Sequence, residues 1–133
     1  MGRRSGMKHI IIIGAGGFLG AIARYGVSQW VTRLTEIKFP YGTLTVNLVG
    51  SFLIGIVMAF SLRQSIHPSL LLFLTIGFLG SFTTFSTFSY ETFQAMSQGQ
   101  WMVALMNMAG NLFGCLIAAA LGFKLLRMLS AEV

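Results

Sequence analysis

Residues 80–89 read GSFTTFSTFS. They lie inside an apolar run, residues 70–93, that is long enough to cross a bilayer core. Yet the stretch carries six hydroxyl side chains: Ser81, Thr83, Thr84, Ser86, Thr87 and Ser89. Phe82, Phe85 and Phe88 interleave with them at a spacing of three, which drifts along one face of a helix. Polar groups in lipid must be satisfied inside the protein or by water. A hydroxyl run this dense therefore belongs to a helix that faces partners or an aqueous path, not lipid tails.

The whole chain has the same character. It holds 133 residues, 55% of them hydrophobic and only 9% charged, whereas about a quarter of the residues in an ordinary soluble domain are charged. This composition describes a single all-α integral membrane domain. A helical span needs about 20 residues, so four spans fit, at roughly 10–30, 43–62, 70–93 and 101–126. The net charge of +6 does not point to nucleic acid, because the basic residues are scattered near span ends, where Lys and Arg meet headgroups. The single cysteine, Cys115, excludes an intrachain disulfide and reads as a small packing residue. His9 and His67 are solitary and read as interfacial anchors. The first apolar run lacks a convincing cleavage site and reads as a retained span, with Met7 as an alternative start.

Glycines at 14, 16, 17 and 20 in span 1 superficially suggest a dinucleotide fingerprint, but Leu19 stands at its last glycine position and no acidic residue follows at the required distance. Gly16 and Gly20 are instead four apart, the spacing that lets membrane helices approach closely. Arg24, late in this span, has two readings: an interfacial anchor, or a positive charge at a wide aqueous entrance that concentrates anions. Pro40–Tyr41–Gly42 turns the chain into span 2. Asn47 inside span 2 either bridges helices or lines a path with its amide donors.

In span 3, Gly77 and Gly80 precede Thr83–Thr84, so an unwound midpoint competes with a straight helix there. Glu91 closes that helix, at the interface or as a buried titratable group. In span 4, Asn107 and Asn111 stand one turn apart, and Gly110 and Gly114 repeat the close-packing spacing.

Four spans put both termini on one side, with Arg3, Arg4, Lys8, Arg63, Lys124 and Arg127; Arg24, Arg33 and Lys38 lie on the other. A start at Met7 would nearly equalise the sides and remove the positive-inside preference. Such a chain is free to insert both ways and to pair antiparallel. Four short spans also leave little room for a path within one protomer, which again favours a dimer. The acidic residues are Glu36, Glu91 and Glu132 alone, and no nucleophile–base pair or metal cluster lies in the spans, so an enzyme is excluded. What remains is hydroxyls, amides and phenyl rings. Hydroxyls and amides donate hydrogen bonds, and ring edges are electropositive. Together they can replace an anion's hydration without a fixed charge that would trap it.

The residues GFLGSFTTFSTFSYET (77–92), supported by PYGTLTVNLVGSFLIG (40–55), resemble the Fluc (CrcB) fluoride channels, and the likeness extends from Gly16 to about Gly114. The resemblance implies an antiparallel dual-topology homodimer in the bacterial inner membrane, with two pores and the third helix broken at its centre. It implies passive export of fluoride from the cytoplasm, relief of fluoride toxicity and rejection of chloride. By the same resemblance Phe85 and Phe88 line the pore with their ring edges, and Asn47 is the pore asparagine. Thr84, Ser86, Thr87 and Asn111 are further pore candidates, Arg24 is the vestibule arginine, and Glu91 is the acidic residue near the pore end. A sodium ion at the dimer interface would be held by main-chain carbonyls of Gly80 and Thr83. The chain departs from the pattern at Gly80–Ser81, where the family often has two glycines. The competing readings are a small multidrug-type proton-coupled cation exporter, which would need a carboxylate early in helix 1, and a non-transporting assembly subunit.

Overall fold

The computed structural model describes residues 2–35 and 39–129, with side chains from residue 6 onward. Glu36, Lys38 and Glu132, together with the side chains of Arg3 and Arg4, lie outside the described residues. Helices α1 (Gly2–Leu34) and α2 (Tyr41–Ser61) supply the first two spans. The third span, Pro68–Ser97, is composite. It comprises α3 (Pro68–Leu72), a π-helical stretch Phe73–Leu79, the single turn α4 (Gly80–Phe82), and α5 (Phe85–Ser97). The fourth, Trp101–Leu129, comprises α6 (Trp101–Ala109), a π-helical turn Gly110–Gly114, and α7 (Cys115–Leu129). All four spans are long and apolar enough to cross a membrane, and no strand occurs among the described residues.

The outer helices run past the expected bounds. Span 1 is helical from Gly2 rather than residue 10 and continues to Leu34, and span 4 continues to Leu129. No proline interrupts these flanks, and a helix satisfies its own backbone in headgroups and water as well as in lipid. It therefore need not stop where the hydrocarbon does. Pro40 and Pro68 do mark starts. Pro40 precedes α2, and Pro68 opens α3 behind His67, whose Nδ1 accepts from the Ser69 amide at 3.2 Å.

Glycines set how closely the spans cross. A Cβ on Gly16 would stand 2.6 Å from the Phe73 carbonyl oxygen, and one on Gly20 would overlap the carbonyl of Phe78. Gly77 returns the contact, its would-be Cβ lying 3.0 Å from Gly16 Cα. So the Gly16–Gly20 face seats the π-helical stretch of span 3 directly on the backbone of α1. A second crossing joins α2 to α7, where a Cβ on Gly55 would overlap the Ala119 carbonyl and one on Gly122 would overlap that of Phe52. Gly110 and Gly114 face the side chains of Leu44 and Leu48.

Between α4 and α5 the backbone leaves the helix. Thr83 has φ −83°, ψ 159° and Thr84 has φ −150°, ψ 110°, both extended, while Gly80 stays helical at φ −62°, ψ −30°. β-Branched Thr is at ease in extended backbone. Thr84 then serves as N-cap of α5, its Oγ1 accepting from the Thr87 amide at 3.3 Å.

Candidate functional site

The extended step places its polar groups against α2 and span 4. Asn47 spans it from α2. Its Oδ1 accepts from the Thr84 amide at 2.7 Å, and its Nδ2 donates to the Thr84 carbonyl at 3.2 Å and to Asn111 Oδ1 at 2.7 Å. A primary amide has two N–H donors, so both of Asn47's are committed within the chain. Asn111 is likewise spent: its Nδ2 donates to the carbonyl oxygen of Asn107 at 3.0 Å and to Asn107 Oδ1 at 2.9 Å. Asn107 Nδ2 in turn donates to Thr92 Oγ1 at 3.0 Å, and the Thr92 hydroxyl donates to the Phe88 carbonyl at 2.8 Å. The three amides and both threonines at the ends of this chain, Thr84 and Thr92, are buried. A buried polar group left unpaired costs about 1–3 kcal/mol, so the ladder holds together as a unit.

Beside the ladder lies a cavity of about 270 Å³. Its wall includes Asn47, Gly80, Thr83, Thr84, Phe85, Phe88 and Asn111, along with Ser51, Thr75 and Cys115, and no residue lining it is charged. Both π-helical segments contribute to it, through Thr75 and Leu79 from one and Asn111 and Leu112 from the other. π-Turns occur frequently at functional sites. The Phe85 and Phe88 rings meet at 5.3 Å between centroids and 63° between planes, close to edge-on. Phe88 is buried, whereas Phe85 is 72% exposed, with Ser86 and Thr87 exposed next to it on α5.

Thr84 also lines a second pocket, of about 230 Å³, with Arg24, Tyr25, Ser28, Gln29, Thr43 and Thr87. Here the Thr84 hydroxyl donates to Thr87 Oγ1 at 2.9 Å and lies 3.3 Å from Ser86 Oγ. Among the described residues nothing receives the Thr87 hydroxyl proton, and the amides of Phe85 and Ser86 sit in the first helical turn, where no intrahelical acceptor exists. These donors, rather than Asn47, are available to an incoming anion.

Thr43 continues the line. Its hydroxyl donates to Glu91 Oε1 at 2.7 Å, while Glu91 Oε2 is buried without a hydrogen-bond partner among the described residues. Glu91 faces a third pocket, of about 420 Å³, with Thr32, Gln94, Gln98 and Gln100. The phenylalanine cavity thus shares Thr84 with the Arg24 pocket, and the Thr43–Glu91 bond links a wall residue of that pocket to one of the third.

The residues singled out in the sequence therefore fall into groups. Asn47, Thr84, Phe85, Phe88, Asn111, Gly80 and Thr83 share one cavity, and Arg24 and Thr87 share the next, with Thr84 common to both. Ser86 touches Thr84 but lines neither, and Glu91 stands apart behind Thr43. Sequence reasoning missed Thr43 and Thr92. The signal for Thr92 was present: Asn107 is an amide in an apolar span, and a buried amide must find a partner. Among the described residues no three His, Cys, Asp or Glu side chains gather to hold a metal.

Comparison with known proteins gives a consistent result. The pattern of the family described as "CrcB-like protein, Camphor Resistance (CrcB)" matches residues 11–123. A protein of Geotalea daltonii named "Fluoride-specific ion channel FluC" is 47% identical over 122 residues, covering 91% of this chain and 98% of its own length. One of the same name from Geobacter metallireducens is 48% identical, over 92% of this chain and 100% of its own. Another from Shewanella loihica is 41% identical, over 90% and 96%.

Proposed function

The chain belongs to the CrcB-like protein family, and from that premise we propose that it is a fluoride channel, passing fluoride down its gradient out of the cytoplasm and excluding chloride. The observation that carries this reading is the uncharged cavity in which two edge-on phenyl rings meet the capped start of α5. An anion arriving there meets ring edges and the Phe85 amide, with the Thr87 hydroxyl in the adjoining pocket, and each of these contributes partial rather than full positive charge. Fluoride surrenders its water only to close, strong donors, and a site without a fixed cation lets it leave again. Arg24 in the adjoining pocket raises the local anion concentration without sitting at the narrow part.

The working unit is an antiparallel homodimer with two paths, in the bacterial inner membrane. Its support is the exposed face of α5. Phe85, Ser86 and Thr87 lie open on one chain in the middle of a hydrophobic span, and exposed hydroxyls there suit a protein partner or water better than lipid. A second copy laid over this face would close the path. Gly80 and Thr83 would then offer main-chain oxygens to a sodium ion at the interface, a donor type that suits a hard cation. Thr83 fits that use because its extended backbone turns its carbonyl out of the helical ladder. Such an ion would cross-brace the two extended steps.

The proton-coupled exporter keeps one favouring observation, the half-satisfied carboxylate of Glu91. The two readings part in proteoliposomes. A channel releases fluoride without a proton gradient, whereas an exporter needs one and moves a cation.

A further inference from the structure

We propose that Thr92, which lines none of the three hollows, is a positioning residue: its hydroxyl sets the direction of the Asn107 amide and so anchors the far end of the ladder whose near end, Asn47, grips the extended Thr83–Thr84 step. This inference rests on the channel reading for its functional readout.

The two ends of a primary amide have nearly the same shape, so packing alone does not choose between them. Hydrogen bonding does. The Thr92 hydroxyl proton is committed to the Phe88 carbonyl at 2.8 Å, so towards Asn107 this oxygen can only accept. Asn107 must therefore present Nδ2 to it, at 3.0 Å, and Oδ1 to the other side. That oxygen and the Asn107 main-chain carbonyl both receive Asn111 Nδ2, at 2.9 and 3.0 Å, which turns Asn111 Oδ1 to Asn47. Asn47 then gives Nδ2 to Asn111 and keeps Oδ1 for the Thr84 amide.

Reversal of any one amide sets donor against donor at the next, and reversal of Asn47 sets Nδ2 against the Thr84 N–H. Asn107 and Thr92 are 1% and 6% exposed and line none of the hollows, so water does not repair a reversed bond there. The polarity runs about two helical turns, from Thr92 in α5 through span 4 to α2, and ends on the cap residue of the same α5. Thr92 and Thr84 thus anchor the two ends of one polarity, with the Asn107 main-chain carbonyl holding Asn111 between them, and the hydroxyl beyond the cavity completes the set that holds the start of α5.

The test uses the full-length protein in fluoride-loaded proteoliposomes. Thr92→Val keeps the volume and branching but removes the acceptor, and fluoride release should fall about tenfold, the scale of one buried hydrogen bond lost. Thr92→Ser keeps the hydroxyl and should stay within about twofold of the unaltered protein. Thr92→Cys, a weaker acceptor, should fall between them, and it decides the matter if the valine variant does not fold. Unaltered release from Thr92→Val overturns the inference. So does an equal loss in Thr92→Ser, which would assign the effect to the methyl group, and so does full release from Thr92→Cys should the valine variant be unusable. If the unaltered protein itself passes no fluoride, the channel reading fails instead, and the two failures are distinct.

Discussion

Replacing Asn47 with alanine tests the brace across the extended step most severely. The side chain makes three bonds, at 2.7, 2.7 and 3.2 Å, to Thr84 N–H, Asn111 Oδ1 and the Thr84 carbonyl. Removing it leaves all three buried partners without their bond. Polar contacts between membrane helices are worth about 0.6–1.7 kcal/mol each, so the loss should total about 2–5 kcal/mol. Alanine also opens space beside the 270 Å³ cavity, which adds to the cost and lets Thr84 swing. The assay pairs stability with flux: unfolding by denaturing detergent, followed through tryptophan fluorescence, and fluoride release measured with an electrode. Stability should drop by about 2–5 kcal/mol and release by about tenfold or more, because the cap of α5 is no longer held. A variant within about 0.5 kcal/mol of the parent would refute the reasoning, since surface-like substitutions behave that way and braces do not.

Phe85→Ile should leave the folded dimer intact, because the apolar bulk remains, yet cut fluoride release about tenfold by removing the ring edge; undiminished release would remove the aromatic-edge mechanism. Arg24→Gln should slow fluoride release several-fold at low ionic strength, and added inert salt should shrink the difference to about nothing, as screening requires; a salt-independent deficit would count against an entrance role. Gly122→Ala should destabilise by about 1–3 kcal/mol because the new methyl meets the Phe52 backbone, whereas Gly26→Ala, with open space at its Cβ, should be neutral or slightly stabilising. If the two alanines behave alike in the detergent titration, the α2–α7 crossing is not as close as described.

Much of this was legible in the chain. Composition alone demands four apolar helices, because 9% charge leaves too little polar surface for a soluble domain. The hydroxyl run of residues 80–89 marks a segment unsuited to lipid, and the Gly16–Gly20 spacing marks a face of close approach. Which residues leave the helix was less legible. Glycine is the usual suspect, yet Gly77 is occupied in packing against Gly16 and Gly80 stays helical, while Thr83 and Thr84 take the extended backbone. The α2–α7 crossing was also hidden, since Gly55 and Gly122 meet only once the register of two distant helices is set. The same holds for Thr43 with Glu91, 48 residues apart, and for Thr92 with Asn107 across the turn between spans. Asn47 shows the limit from the other direction. Its type and place suggest an anion donor, but only the full set of partners reveals that both its N–H groups are already used.

The most direct measurement is release of fluoride and of chloride from vesicles carrying the purified protein, with no proton gradient imposed. A fluoride channel predicts rapid loss of fluoride and retention of chloride. Retention of both anions by folded protein, or release of both at similar rates, would contradict it.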